Sequence, residues 1–149
     1  MLPAVPAELE VAEGEELVLK AHAIGFQIYV CELSGDAGCA WNLKMPEAVL
    51  FDDHGNGIGT HFAGPTWRLA DGSRINAKVV ARAQSPDAKA IPWLLLTVTG
   101  REGDGALARV STIQRIHTSG GMAPVERGTL GQEAKVFYSA DYYFYGARL

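Results

Sequence analysis

Apolar and polar residues alternate along most of this chain with a period of two, the repeat of a pleated strand with one covered face. Residues 74–84 give the clearest case. Ile75, Ala77, Val79, Ala81 and Ala83 fall on one side, Arg74, Asn76, Lys78, Arg82 and Gln84 on the other, and only Val80 breaks the order. A helix would spread those charges around its circumference, so a half-buried strand with one wet face is predicted. Residues 17–23 set Leu17, Leu19, Ala21 and Ala23 on one face, and in residues 26–31 Phe26, Ile28 and Val30 alternate with Gln27, Tyr29 and Cys31. Trp41, Leu43 and Met45 alternate with Asn42 and Lys44 until Pro46 ends the pattern; residues 48–51, 57–62, 93–99, 107–117 and 136–145 complete the set.

Turn signals lie between these segments: Asp53-His-Gly-Asn-Gly57, Asp71-Gly-Ser73, Gly100-Arg-Glu-Gly-Asp-Gly105 and Ser119-Gly-Gly121. About nine short strands punctuated in this way predict an all-β fold, a single-domain antiparallel β-barrel or β-sandwich with little or no helix. The domain spans residues 1–149, with 1–14 as an extended lead-in. One helical turn is predicted near residues 86–90, after a capping Ser85.

Composition narrows the partners. A length of 149 residues and an apolar fraction of 48% suit one globular core. The net charge of -4 is scattered, and no basic stripe exists to neutralise a run of phosphates, so nucleic acid is excluded as a partner. The longest apolar run, Ile91 to Leu96, is far too short for a membrane span. The opening Met-Leu-Pro-Ala-Val-Pro lacks the basic end and apolar stretch of a signal peptide. Two readings follow: a cytoplasmic protein, or an exported one, periplasmic or extracellular, whose signal peptide is absent from this chain. Pro3 and Pro6, typical of an extended mature start, favour export. Cys31 and Cys39 flank a stretch rich in Ser, Gly and Asp. They are either a disulfide across a loop, stabilising by about 2.5 kcal/mol in the chain-entropy model, or two unrelated thiols; no second pair completes a metal site.

The ordered segments Gly25-Phe-Gln-Ile-Tyr-Val-Cys31, Pro46-Glu-Ala48, His61-Phe-Ala-Gly-Pro-Thr-Trp67, Asp71-Gly-Ser73, Ile91-Pro-Trp-Leu-Leu-Leu96, Ile113-Gln-Arg115, Thr118-Ser-Gly-Gly121 and Tyr138-Ser-Ala-Asp-Tyr142 resemble one family over nearly the whole chain. It is an uncharacterised bacterial and fungal family, domain of unknown function number 3455. The resemblance implies export, since members usually carry a signal peptide, and implies no established activity. Some fungal relatives carry a dehydrogenase label, but this chain has no strand–GxGxxG–helix unit to hold a dinucleotide, and no cofactor is expected. In the family pattern, the cysteine matching Cys31 finds a partner shortly after the Gly-Gly-x-x-Pro segment; here that stretch, Gly120 to Gly128, holds no Cys. Cys39 is then a substitute partner, or Cys31 is free.

Candidate chemistry centres on His61, Trp67 and Asp71. The Gly64-Pro65 turn fixes the backbone between His61 and Trp67, and a His oriented by a carboxylate is what general-base catalysis needs. The plainer alternative is a stiff hairpin with Trp67 in the core. His54 sits in a turn with Asp52, Asp53 and Asn56, oxygen donors of the kind a cation takes, but four separate histidines, His22, His54, His61 and His117, predict no metal site. Arg115 shares a strand face with Ser111, Ile113 and His117 and, if that face is inward, would read an anionic or polar ligand. Gln114 on the opposite face fits a buried amide bonded to backbone. Residues 138–145 are aromatic on both faces, which fits a strand covered twice or a homo-oligomer contact.

Three functions compete on this reading. The favoured one is an exported, non-catalytic β-scaffold binding a small ligand or partner through His61, Trp67, Trp93, Arg115 and Tyr142. The second is an acid–base enzyme using His61 with Asp71 or Asp52. The third is a structural, oligomerising exported domain with no pocket.

Overall fold

The structure, a computed structural model, describes residues 2–149. Eight antiparallel strands close into one up-and-down barrel: β1 Glu15–Leu33, β2 Cys39–Phe51, β3 Gly57–Phe62, β4 Thr66–Leu69, β5 Arg74–Ala83, β6 Trp93–Glu102, β7 Val110–Gly120 and β8 Glu133–Ala147. Each strand pairs with the next, and β1 meets β8 to complete the ring, so no sheet edge runs the full height of the wall. No helix of the described residues is long and apolar enough to cross a membrane.

The expected barrel-or-sandwich is a barrel, with eight strands in place of nine. Residues 17–23 and 26–31 belong to one strand, because Gly25 continues the ladder opposite Ala48 and Tyr138 instead of interrupting it. A Cβ at Gly25 would stand 2.1 Å from the Glu47 carbonyl and 2.8 Å from the Ala48 Cβ, so only glycine permits this approach of β1 and β2. Pro46 likewise lies within β2, opposite Gln27. β3 pairs only with the Ala48–Phe51 half of β2, so Pro46 faces no second neighbour and its missing N–H breaks no bond on that side. β4, four residues between the Gly64-Pro65 and Asp71-Gly-Ser73 turns, escaped the alternation pattern because it is too short to show a period. The helical turn near 86–90 is absent. Ser85 Oγ does accept the Asp87 amide (3.1 Å), but the bond closes a bend.

Bulges decide which side chains face inward, and three of the extra residues lie in β5 and β7. In β5, Val79 stands opposite Leu96 and Ala81 opposite Leu95, so Val80 is the extra residue and the alternation changes sides there. Ile75 and Ala77 join the interior, whereas Ala81 and Ala83 pack on the outer wall, against the expectation that all five apolar residues share one face. In β7 the extra residues are Ser111 and one of the pair His117–Thr118; His117 adopts a left-handed φ of 50°. Of the expected face Ser111–Ile113–Arg115–His117, only Ile113 and Arg115 point inward. Ser111 bonds Glu15 outside, and His117 bonds Asp141.

Small residues on β1 (Ala21, Ala23, Gly25) leave room in the interior for Trp67, Tyr138, Tyr142 and Phe144. A second cluster sits outside the barrel, where Leu9 of the lead-in, fully buried, covers Trp93, Ile116, Tyr143 and Tyr145. Gln114 fastens it there: its Nε2 donates to the Leu9 carbonyl (2.8 Å) and its Oε1 accepts from Tyr145 (2.8 Å). The two aromatic faces of β8 therefore meet the barrel interior and the lead-in. Phe137, beside Phe26, stays more than half exposed.

Candidate functional site

A cavity of about 310 Å³ opens at the end of the barrel that carries the turns after β1, β3, β5 and β7. Its origin lies in strand length. The β3–β4 hairpin is short, so residues 39–47 of β2 and 78–83 of β5 have no strand beside them on the facing side. The wall is missing between them, and Leu43, Met45, Pro46 and Val79 rim the gap with Pro65 at the hairpin tip.

The floor is aromatic. His61 and Trp67, paired across β3 and β4, stack with ring centroids 4.4 Å apart and planes 17° apart. Tyr142 of β8 meets both edge-on, at 5.1 Å and 5.5 Å. The His61 Nδ1–H donates to the Thr66 carbonyl (2.9 Å), and because a carbonyl only accepts, Nδ1 carries the hydrogen and Nε2 the lone pair. Burial depresses the imidazole to a pKa of about 3; the Thr66 bond opposes this and the nearby Arg115 charge adds to it. His61 is therefore a neutral ring at physiological pH. The Tyr142 phenol is raised by burial, with Arg115 working against the rise.

Arg115 enters from β7. Its Nε and Nη2 donate to the Pro92 carbonyl (3.2 and 2.8 Å), and no carboxylate pairs with it among the described residues. Lys44, the other cation at the cavity, is held by Glu133 at 2.6 Å. Two further residues of the lining each carry a buried polar atom with no partner within the protein: Trp67 at Nε1 and Gln27 at Oε1, the residues being 1% and 2% exposed. Gln27 was missed by the sequence reading. Its signal was present: in one continuous strand Gln27 shares parity with Ala21, Ala23 and Gly25 and so faces inward, while Phe26 faces out at 38% exposure.

The structure thus brings His61, Trp67, Arg115 and Tyr142 to one cavity. Trp93 does not join them. It lies on the opposite face of β6 from Leu94 and Leu96, in the outer cluster, edge-on to His117. Neither carboxylate stands beside His61. Asp71, at the far end of β4, accepts from the Ser73 amide and hydroxyl and from the Ala106 amide, bonds that hold its carboxyl below the usual carboxylate range. Asp52, at the far end of β3, accepts from the His54 and Asn56 amides in its own turn, and the Asn56 bond chiefly lowers it too. On the outer wall, His22 and His117 both donate through Nδ1 to Asp141 (2.7 Å each). Among the described residues no group of three or more His, Cys, Asp or Glu is placed to hold a metal ion.

Cys31 and Cys39 form a disulfide with Cα atoms 5.2 Å apart, closing the β1–β2 turn at the cavity end. Gly128, in the stretch where the family resemblance put the usual partner, lies against it: a Cβ there would stand 3.0 Å from Cys31 Sγ. Cys39 is the partner in this chain.

A family model described as a protein of unknown function (DUF3455) matches residues 12–146. The chain belongs to this family. The match covers all eight strands of the barrel but for Ala147, the last residue of β8, so the cavity lies wholly within the DUF3455 region. No curated protein and no solved structure matches the chain.

Proposed function

We propose that this DUF3455 protein is an exported, non-catalytic barrel that binds one small organic molecule in the lateral cavity. The carrying observation is the cavity of about 310 Å³ itself, whose lining includes Trp67 and Gln27, each with a buried polar atom that has no partner within the protein. A buried polar group without a partner costs about 1–3 kcal/mol, and chains retain such groups where something else completes them. The cavity has the make-up of a ligand site: an apolar rim, an aromatic floor and a few polar atoms. Its volume equals about ten waters' share of liquid, room for a single small molecule.

Catalysis by His61 fits this geometry less well. An imidazole depressed to about 3 is a feeble base near neutrality, and the groups that would orient it are bonded elsewhere, as Asp71 is to Ser73. The disulfide supports the exported reading, because such bridges persist in oxidising compartments. The test is a fragment screen of mixed charge and shape, read by the indole N–H resonance of Trp67 in ¹⁵N-labelled protein. Fragments that shift Trp67, and lose that effect in Leu96→Trp, which fills the cavity, support binding. A Trp67 resonance unmoved by every fragment refutes it.

A further inference from the structure

The composition of the cavity extends this reading, on which the following rests, to the chemical class of the ligand. We infer that the site takes a flat, mainly apolar molecule carrying one carboxylate, with the carboxylate on Arg115. A guanidinium stays charged at every physiological pH. Here it lies in the barrel wall with only neutral protein partners, the Pro92 carbonyl and the Tyr142 phenol. The cavity lining contains no Asp and no Glu. The aromatic groups around Arg115 are neutral as well: His61 by burial, and Tyr29, Tyr138 and Tyr142 because burial raises each phenol. A cation with no countercharge in a partly desolvated site is costly, and an anion bound there recovers the attraction.

The remaining surfaces define the rest of the molecule. The Pro92 carbonyl takes one N–H each of Nε and Nη2, and of the five guanidinium N–H groups those left over are the donors for a carboxylate oxygen. Trp67 and Gln27 line the same cavity, each with a buried polar atom that has no partner within the protein. Between them lie the His61–Trp67 stack and the Leu94, Leu96 and Val79 side chains, an apolar slot suited to a ring system. Lys44 offers no rival anchor, being neutralised by Glu133 at the mouth.

Indole-3-carboxylate, indole-3-carboxamide and indole-3-methylamine share shape and differ in charge, and their affinities, followed by calorimetry and by the Trp67 indole resonance, test the inference. The carboxylate should bind at least about tenfold more tightly than the amide, as a charge-assisted bond requires, and the amine should bind most weakly. Arg115→Met should abolish the carboxylate's advantage, so that carboxylate and amide bind the variant equally. Arg115→Lys should restore the preference, which a purely structural role through Pro92 would not do. Lys44→Met should leave it intact. Equal binding of carboxylate and amide, or a preference that follows Lys44, overturns the anionic class while the cavity's role as a binding site stands. So does a set of indoles that all fail when other fragments bind. Only a screen in which no fragment of any charge moves Trp67 removes both.

Discussion

His61 makes the pH dependence of stability a direct measure of how dry the cavity floor is. In the unfolded chain its imidazole takes a proton near 6.5, whereas in the barrel it resists protonation down to about 3. Between these values the unfolded state binds more protons, so stability rises with pH across that window and is flat above it. At about 1.4 kcal/mol per pH unit, the full depression corresponds to about 5 kcal/mol lost on going from neutrality to the acid end. His61 is 3% exposed, so solvent does little to screen this penalty. Asp52 and Asp71, whose carboxyls are held low, also lose stabilisation on acidification, but only as the pH falls through their own lowered values. His61→Asn separates the contributions: the amide donor takes the place of Nδ1–H towards Thr66 and does not titrate. Urea denaturation from pH 4 to 7 should show the wild type steeper than the variant, with about 3 kcal/mol of differential loss by pH 4. Parallel curves, or a folded-state His61 resonance that titrates near 6.5, would refute the reasoning.

Three other perturbations test the fold around the site. Gly25→Ala places a Cβ inside backbone atoms of Glu47 and Ala48, with nothing flexible to give way, and should destabilise by about 3 kcal/mol; Gly57→Ala, whose Cβ meets only Val49 Cγ1 at 4.0 Å, should be neutral or slightly stabilising in the same thermal melt. Similar melting points for the two would show that β1 and β2 are not so closely apposed. Cys39→Ser should lower stability by about 2.5 kcal/mol, the chain-entropy value for a loop of this length, and should make the protein indifferent to reductant in denaturant titrations. Leu9→Ala removes a fully buried side chain from the outer cluster and should cost about 3 kcal/mol; a lead-in that does not pack on the wall would show no change in stability and no gain in proteolysis near residue 9.

Much of the barrel was legible because strand alternation is local. The β5 and β6 segments, the β3 run and most of β8 could be read from a few neighbours at a time, since the pleat alone sends successive side chains to opposite faces. His61, Trp67, Arg115 and Tyr142 stood out by residue type, and the structure gathers all four. What failed were inferences about side. Trp93 was grouped with the other aromatics, yet its parity against Leu94 puts it outside. Residues 17–23 and 26–31 stand as separate segments in the sequence, so nothing fixes the parity of Phe26 and Gln27 against Ala21 and Ala23; joined through Gly25 into one strand, Phe26 faces out and Gln27 in.

From sequence alone, then, come the pleated fold, its antiparallel all-β class and the residues with chemistry to offer. The inward set belongs to the tertiary structure. A bulge exists only as a mismatch in count between two paired strands, so Val80, Ser111 and the His117–Thr118 pair could not be identified as points where the faces exchange until their partners on β6 and β8 were known. The cavity has the same origin. It lies where a short hairpin fails to cover longer neighbours, and how far one strand extends beside another is decided by contacts between distant parts of the chain.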